Sequence, residues 1–218
     1  MPTIVYKLTD ENKRTHGGFP GPDGWEIGKT YKTSGKGELC GPGFLHAYHH
    51  PLLAVLHNRI HANYDSPRLF LARAAGKILC DGQMKLGSSR LTLLEEMELP
   101  LINMTQRVAY GIIATQKVIG DACPAWSQWA EEWLSGKDRS AEAAWAAAWA
   151  AEEAAWEAAA WAAEEAAWEA AARAAEEAAE EAAAWAAARA AEEAAWEAAA
   201  RDKSLNLIAC AEEAMEVK

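Results

Sequence analysis

The stretch RLFLARAAGKILCDGQMKLGSSRLTLLEEMEL, from Arg68 to Leu99, holds the two clearest strand candidates of the chain. Arg68–Cys80 and Ser89–Leu99 are rich in apolar residues, which is typical of β-strands. Asp81-Gly82 between them is a dipeptide that favours a tight turn. The sequence therefore predicts two neighbouring strands connected by a turn.

Upstream segments extend the same pattern. Strands are predicted at Thr3–Leu8, Trp25–Thr33 and Gly43–Tyr48. His50–His61 has apolar residues at helical spacing, with Pro51 suited to the first turn. We therefore expect the α+β fold class, with residues 1–100 forming a small mixed N-terminal domain that contains an antiparallel sheet.

The rest of the chain is predicted to be helical. Residues 101–137 form a helical connector, with Thr105 as N-cap of Gln106–Ile119 and a second helix at Pro124–Leu134. Residues 138–202 form an alanine-rich tetrapeptide repeat, and 203–218 a short amphipathic helix that docks at an unspecified place, with the N-terminal domain as one candidate.

The repeat obeys a strict four-residue period. From Ala144 to Ala199 the last two positions of each of fourteen tetrads are alanine. Alanine and glutamate favour helix, and a continuous helix of about 60 residues would be about 90 Å long. Its tryptophans would promote aggregation if all faced water, so we expect self-association or folding back to cover them. The predicted oligomerisation residues are Trp145, Trp149, Trp156, Trp161, Trp168, Trp185 and Trp196. The alternative is a solvated spacer.

Charge is distributed unevenly along the chain. Residues 1–140 carry 16 basic and 14 acidic side chains, whereas 141–200 carry 14 Glu and two Arg. Direct nucleic-acid binding is not expected, because phosphate contacts need a basic face. An acidic DNA mimic is a second alternative, although its charge density is far below one charge per about 1.7 Å.

Neither a membrane span nor a disulfide framework is predicted. The alanine tract is interrupted by charges every few residues, which argues against a bilayer-crossing helix. Cys40, Cys80, Cys123 and Cys210 are widely spaced and form no CxxC pair. With a polar N-terminus, they indicate reduced thiols in the cytoplasm, that of a host cell if the protein is phage-encoded.

The N-terminal region resembles a known domain. GWEIGKTYKTSGKGELCGPGFLHAYHHPL, GKILCDG and KLGSSRLTLLEEMELP are similar to a domain of phage and prophage proteins with a GKxY…LCxxGFHxC core. The resemblance covers roughly Ile4 to Pro100 and implies a phage setting without implying a reaction. Its members often precede pentapeptide-type or alanine-rich tails. This chain departs from the GFHxC core at Gly43-Phe44-Leu45.

Five histidines cluster in HAYHHPLLAVLHNRIH. The predicted ligand-binding residues of the Gly41–His61 region are Gly41, Gly43, His46, His49 and His50. His57 and His61 are spaced i, i+4 and form the metal-site alternative. No HExxH or paired-cysteine motif completes such a site, so we expect loop and helix-surface histidines and no metal or other cofactor.

A catalytic alternative comes from the same region. GPGFLHAYHHPLLAV resembles the glycine–aromatic strand and helix of ADP-ribosyltransferase-like folds. That resemblance implies a nicotinamide pocket lined by Tyr6 and His46, with Glu95 or Glu96 as the acid.

The function predicted from the sequence is binding and assembly of phage type. In this prediction the N-terminal domain recognises a partner, such as a host protein, and the alanine-rich repeat forms a homo-oligomer. One role of the complex would be to modulate a host process such as defence. An enzyme or small-molecule binder, including a nucleotide binder, is the alternative.

Overall fold

The computed structural model describes residues 2–15, 19–119, 124–140, 143 and 204–218. The chain divides into two units, Met1–Leu101 and Ile102–Lys218. The described part of the first unit forms β1 (Thr3–Thr9), β2 (Thr30–Lys32), β3 (Leu45–Tyr48), α1 (Pro51–Leu56), α2 (Asn58–His61), β4 (Arg68–Asp81) and β5 (Lys85–Met97). The described part of the second unit forms α3 (Met104–Ile119), α4 (Pro124–Leu134) and α5 (Leu207–Met215).

The long β4–β5 hairpin organises an antiparallel sheet. β1 pairs with β3 and β4, while β5 pairs with β2, β3 and β4. The strands β1, β3, β5 and β4 therefore close into a ring of pairings. One cluster of buried side chains fills it, among them Val5, Trp25, Leu45, Phe70 and Leu93. The prediction of an α+β fold with an antiparallel sheet is confirmed.

The strand predicted at Ser89–Leu99 begins earlier, at Lys85. Gly87 and Ser88 have low strand propensity, but their backbone pairs with β3 on one edge and with β4 on the other. Gly87 is also required by packing, since a Cβ there would lie 2.9 Å from the Cβ of Phe44. Tertiary pairing therefore overrides local propensity in this segment.

Two other predicted elements are shorter than expected. The strand expected at Trp25–Thr33 is reduced to Thr30–Lys32, because Gly28 has a φ of 84° and leaves the extended region. The helix expected at His50–His61 divides into α1 and α2 at His57, whose φ and ψ are −91° and 9°.

The second unit starts with α3, whose cap is Asn103 rather than the predicted Thr105. The Asn103 side chain accepts from the Gln106 N–H at 2.9 Å, and the Gln106 side chain accepts from the Asn103 N–H at 3.0 Å. This reciprocal capping box begins the helix at Met104.

The C-terminal helix α5 packs against α3. Leu207, Cys210 and Ala211 are buried, Gln106 Nε2 donates to the Met215 carbonyl at 2.9 Å, and Lys117 pairs with Glu213 at 2.5 Å. The amphipathic C-terminal segment thus has its docking surface inside the second unit.

The tryptophans of α4 lie on one buried face. Trp126, Trp129 and Trp133 are all buried. Arg139 lies over the Trp133 ring at 4.7 Å and donates to the Lys218 carbonyl at 2.9 Å. The residues on both sides of the repeat, 124–140 and 204–218, therefore belong to the same unit.

The predicted repeat helix lies outside the described residues apart from its first few positions, and so do all seven tryptophans predicted to mediate oligomerisation.

Candidate functional site

A cavity of about 520 Å³ lies in the first unit. Residues of β1, β3, α2 and β5 line it, together with the loop residues Cys40, Gly41, Pro42 and Phe44. Its polar lining includes Lys7, His46, Tyr48, His61 and Lys85. None of the described residues that line the cavity is Asp or Glu. The volume falls in the range of small-molecule sites, and the lining favours an anion.

Lys7 is the most unusual residue of the cavity. On β1 it shares a face with Val5 and Thr9, which are both fully buried. It is only 6% exposed, and its Nζ donates to the His46 carbonyl oxygen at 2.7 Å. The Trp25 ring centroid lies 5.5 Å from Nζ. Burial lowers the pKa of Lys7 to about 7, so a large fraction of the amine is neutral at physiological pH.

His46 is held in place by the preceding loop. Its Nε2 hydrogen-bonds the Leu39 carbonyl oxygen, and because a carbonyl only accepts, Nε2 carries the proton. Burial lowers the pKa of His46, and this bond opposes the shift. His46 is therefore a neutral side chain with a fixed tautomer at the cavity wall.

The buried His57 and the half-buried His61 lie side by side, and His61 contacts Tyr48. The His61 ring is stacked on Tyr48, and its Nδ1 lies 3.2 Å from the Tyr48 hydroxyl. The His57 ring lies 5.5 Å from His61 and is fully buried. Burial lowers the pKa of His57 to about 3 and that of His61 to about 4. The expectation of loop and helix-surface histidines is wrong for His57, which is fully buried, whereas His61 is half-buried at the cavity wall.

The predicted ligand-binding residues divide into two groups. Gly41 and His46 line the cavity, whereas Gly43, His49 and His50 do not. Gly43 is needed for backbone approach, since a Cβ there would lie 1.9 Å from the Lys36 carbonyl oxygen. His50 caps α1, accepting from the Leu52 N–H at 3.4 Å. His49 is half-buried, and burial lowers its pKa.

The residues of the catalytic alternative are not gathered around the cavity. Tyr6 faces the His50 ring, with centroids 6.4 Å apart. Glu95 is exposed on β5 and Glu96 forms a bidentate pair with Arg68. Of this group only His46 lines the cavity.

The metal alternative gains no third ligand. In the described ranges no group of three or more His, Cys, Asp or Glu side chains is arranged to hold a metal ion. Cys40, Cys80 and Cys210 carry free thiols, of which Cys40 lines the cavity, and Cys123 lies outside the described residues.

Lys7 and Lys85 are the charged residues of the cavity lining that the sequence analysis did not identify. The signal for Lys7 was present: a lysine in TIVYKLT occupies the same side of the strand as Val5 and Thr9. A charged residue at a core-facing position marks a functional candidate. Lys85 carried no such signal, because the predicted strand began after it.

One protein-family model matches part of the chain. A family model described as Domain of unknown function (DUF7666) matches residues 3–104, slightly under half of the chain and the part that contains the cavity. No curated protein and no solved structure matches the chain. Within the described residues, no helix is both long and apolar enough to cross a membrane.

Proposed function

We propose that the N-terminal unit is a binding module for a small molecule that carries a carboxylate or phosphate group. The cavity carries this proposal, since Lys7 and Lys85 line it beside two neutral histidines and its described lining contains no carboxylate. In such a cavity an anion gains charge-assisted hydrogen bonds, and Asp81, whose charge acts on His61, lies outside the lining.

Aromatic and apolar residues shape the rest of the cavity. Phe19, Phe44, Tyr64 and Ile60 line it beside the cationic groups. A ligand with a flat or apolar body and one anionic end therefore fits best, and nucleotides are included in that class. Binding without turnover is favoured, because the Tyr6, His46 and Glu95 set is not assembled at the cavity.

Benzoate is expected to bind the full-length protein more tightly than benzyl alcohol, its uncharged analogue of similar size. Lys85→Met is expected to weaken benzoate binding at least about tenfold through the loss of a charge-assisted hydrogen bond. Isothermal titration calorimetry measures both affinities, with inorganic phosphate and AMP as further probes. Lys32→Met on β2 is the matched control, since Lys32 is exposed and outside the cavity lining. Equal affinity of wild type and Lys85→Met for every anion would refute the proposal.

For the second part of the chain, we propose that the repeat mediates self-association. The strict tetrads and the seven tryptophans from Trp145 to Trp196 support it. A phage setting and a role in a host process, such as defence, are predictions that rest on the sequence resemblance. In that setting the N-terminal domain would recognise a host partner.

Replacing residues 141–203 with a Gly/Ser linker of about 20 residues is expected to convert an oligomer into a monomer. The linker is preferable to truncation, because truncation would also remove α5 from its packing on α3. Light scattering coupled to size-exclusion chromatography measures the mass of both proteins. Two monomers, or two identical oligomers, would count against assembly through the repeat.

A further inference from the structure

We propose that Lys7 captures small aldehydes or ketones that also carry an anionic group, forming an imine within the cavity. This inference rests on the binding function proposed above and adds a covalent step to it. The ligand class is a carbonyl compound with a carboxylate or phosphate.

The placement of the amine supports this chemistry. Lys7 lines the cavity at its β1 wall, and one hydrogen bond to the His46 carbonyl fixes Nζ. A neutral amine that donates one N–H there keeps its lone pair for a carbonyl carbon. Lysines become nucleophiles in proteins when desolvation stabilises the neutral form. Burial is the cause of the lowered pKa of Lys7, and no carboxylate contributes to it.

Lys85 supplies a second, separate cation. It lines the same cavity, and its charge lowers the pKa of His46, His57 and His61. An anionic group held by Lys85 leaves the carbonyl end of the ligand free to meet Lys7. The two lysines thus divide the tasks of holding the anion and attacking the carbonyl.

The step needs no oxidant, reductant or co-reactant. The Nζ lone pair forms an N–C bond to the carbonyl carbon, and the carbonyl oxygen takes up a proton to give a carbinolamine. The C–O bond then breaks, and the oxygen leaves as water with both protons that the amine has lost. The product is a C=N bond between Nζ and the ligand, and hydrolysis reverses the reaction.

The test is reductive trapping with 4-carboxybenzaldehyde and sodium cyanoborohydride on the full chain, followed by peptide mapping. Lys7 is expected to be labelled at pH 7 at least about tenfold faster than exposed Lys32 or Lys36, because an ordinary lysine has a pKa near 10.4. Labelling of Lys7 should rise between pH 6 and pH 8. Labelling spread evenly over surface lysines, or a protected Lys7, would overturn the inference.

Two controls separate this inference from the binding function. Benzaldehyde, which lacks the anion, should label Lys7 more slowly, and Lys85→Met should remove the advantage of the carboxylated aldehyde. Benzoate should compete with 4-carboxybenzaldehyde without labelling the protein. If benzoate binds and Lys7 resists labelling, the imine fails and the binding module stands. If neither compound binds, both proposals fail.

Discussion

Replacing Lys7 with methionine is expected to raise the free energy of unfolding of the first unit by about 2–4 kcal/mol at pH 7. Methionine keeps the unbranched stem that packs among the core residues and removes an amine that burial destabilises as a cation. The same change is expected to abolish imine formation and to weaken anion binding. A substitution that stabilises the fold while removing a function marks a residue retained for that function.

The pH dependence of this effect has a defined sign. The folded-state pKa of Lys7 is about 7, below its ordinary value of 10.5. Between these values the unfolded chain binds more protons, so the stability of the wild type rises with pH through this window. The advantage of Lys7→Met should therefore be largest at or below pH 7 and shrink toward pH 10. Lys32→Met, at an exposed position of β2, should show neither effect.

Hydrogen exchange of β5 peptides is the suitable measurement, because it reports on the first unit alone. Trp25 is the only one of the 11 tryptophans in residues 1–101, so total fluorescence would report mainly on the rest of the chain. Equal protection of β5 in wild type and Lys7→Met would contradict the stability prediction.

The strands were predictable from sequence where propensity and pairing agree. In β4 the side chains from Phe70 to Ala75 alternate between buried and more exposed, and the apolar run before the turn at Gly82 is enough to predict the strand. Gly87 and Ser88 were missed because their strand conformation depends on partners on both edges. Local sequence favours Thr105 as a cap, whereas the reciprocal Asn103–Gln106 hydrogen bonds decide the start of α3.

The sequence indicates the correct region of the chain for the site but only some of the residues that form it. The Gly41–His61 segment does contribute to the cavity, because the loop before β3 and helix α2 converge on it. Which histidines face inward depends on the break at His57, which no periodicity signalled. Lys7 lies about 40 positions away in sequence, and only the pairing of β1 with β3 brings it to His46.

Acidification from pH 7 to pH 5 is expected to reduce the free energy of unfolding of the first unit by about 2–4 kcal/mol through His57 and His61. Both histidines are neutral in the fold, with pKa values of about 3 and about 4 against an ordinary 6.5. Below pH 6.5 the two histidines bind protons in the unfolded chain and remain neutral in the folded chain. The free energy of unfolding therefore falls continuously as the pH approaches 4. The positive charge of Lys85 lowers the pKa of both rings and so strengthens the effect. The negative charge of Asp81 raises the pKa of His61 and so weakens it there.

His57→Leu should remove about half of this acid dependence, because His61 remains, and should leave the unit more stable than wild type at pH 5. Ordinary carboxyl groups titrate near pH 4 and contribute little between pH 7 and pH 5. Lys7 takes up protons over this range in both proteins, so the difference between them reports on His57. Exchange of β5 amides at the two pH values, corrected for intrinsic exchange rates, gives the comparison. The same loss of stability in wild type and His57→Leu would show that His57 does not carry the effect. Retention of anion binding by His57→Leu at pH 7 is also expected, since His57 is outside the cavity lining.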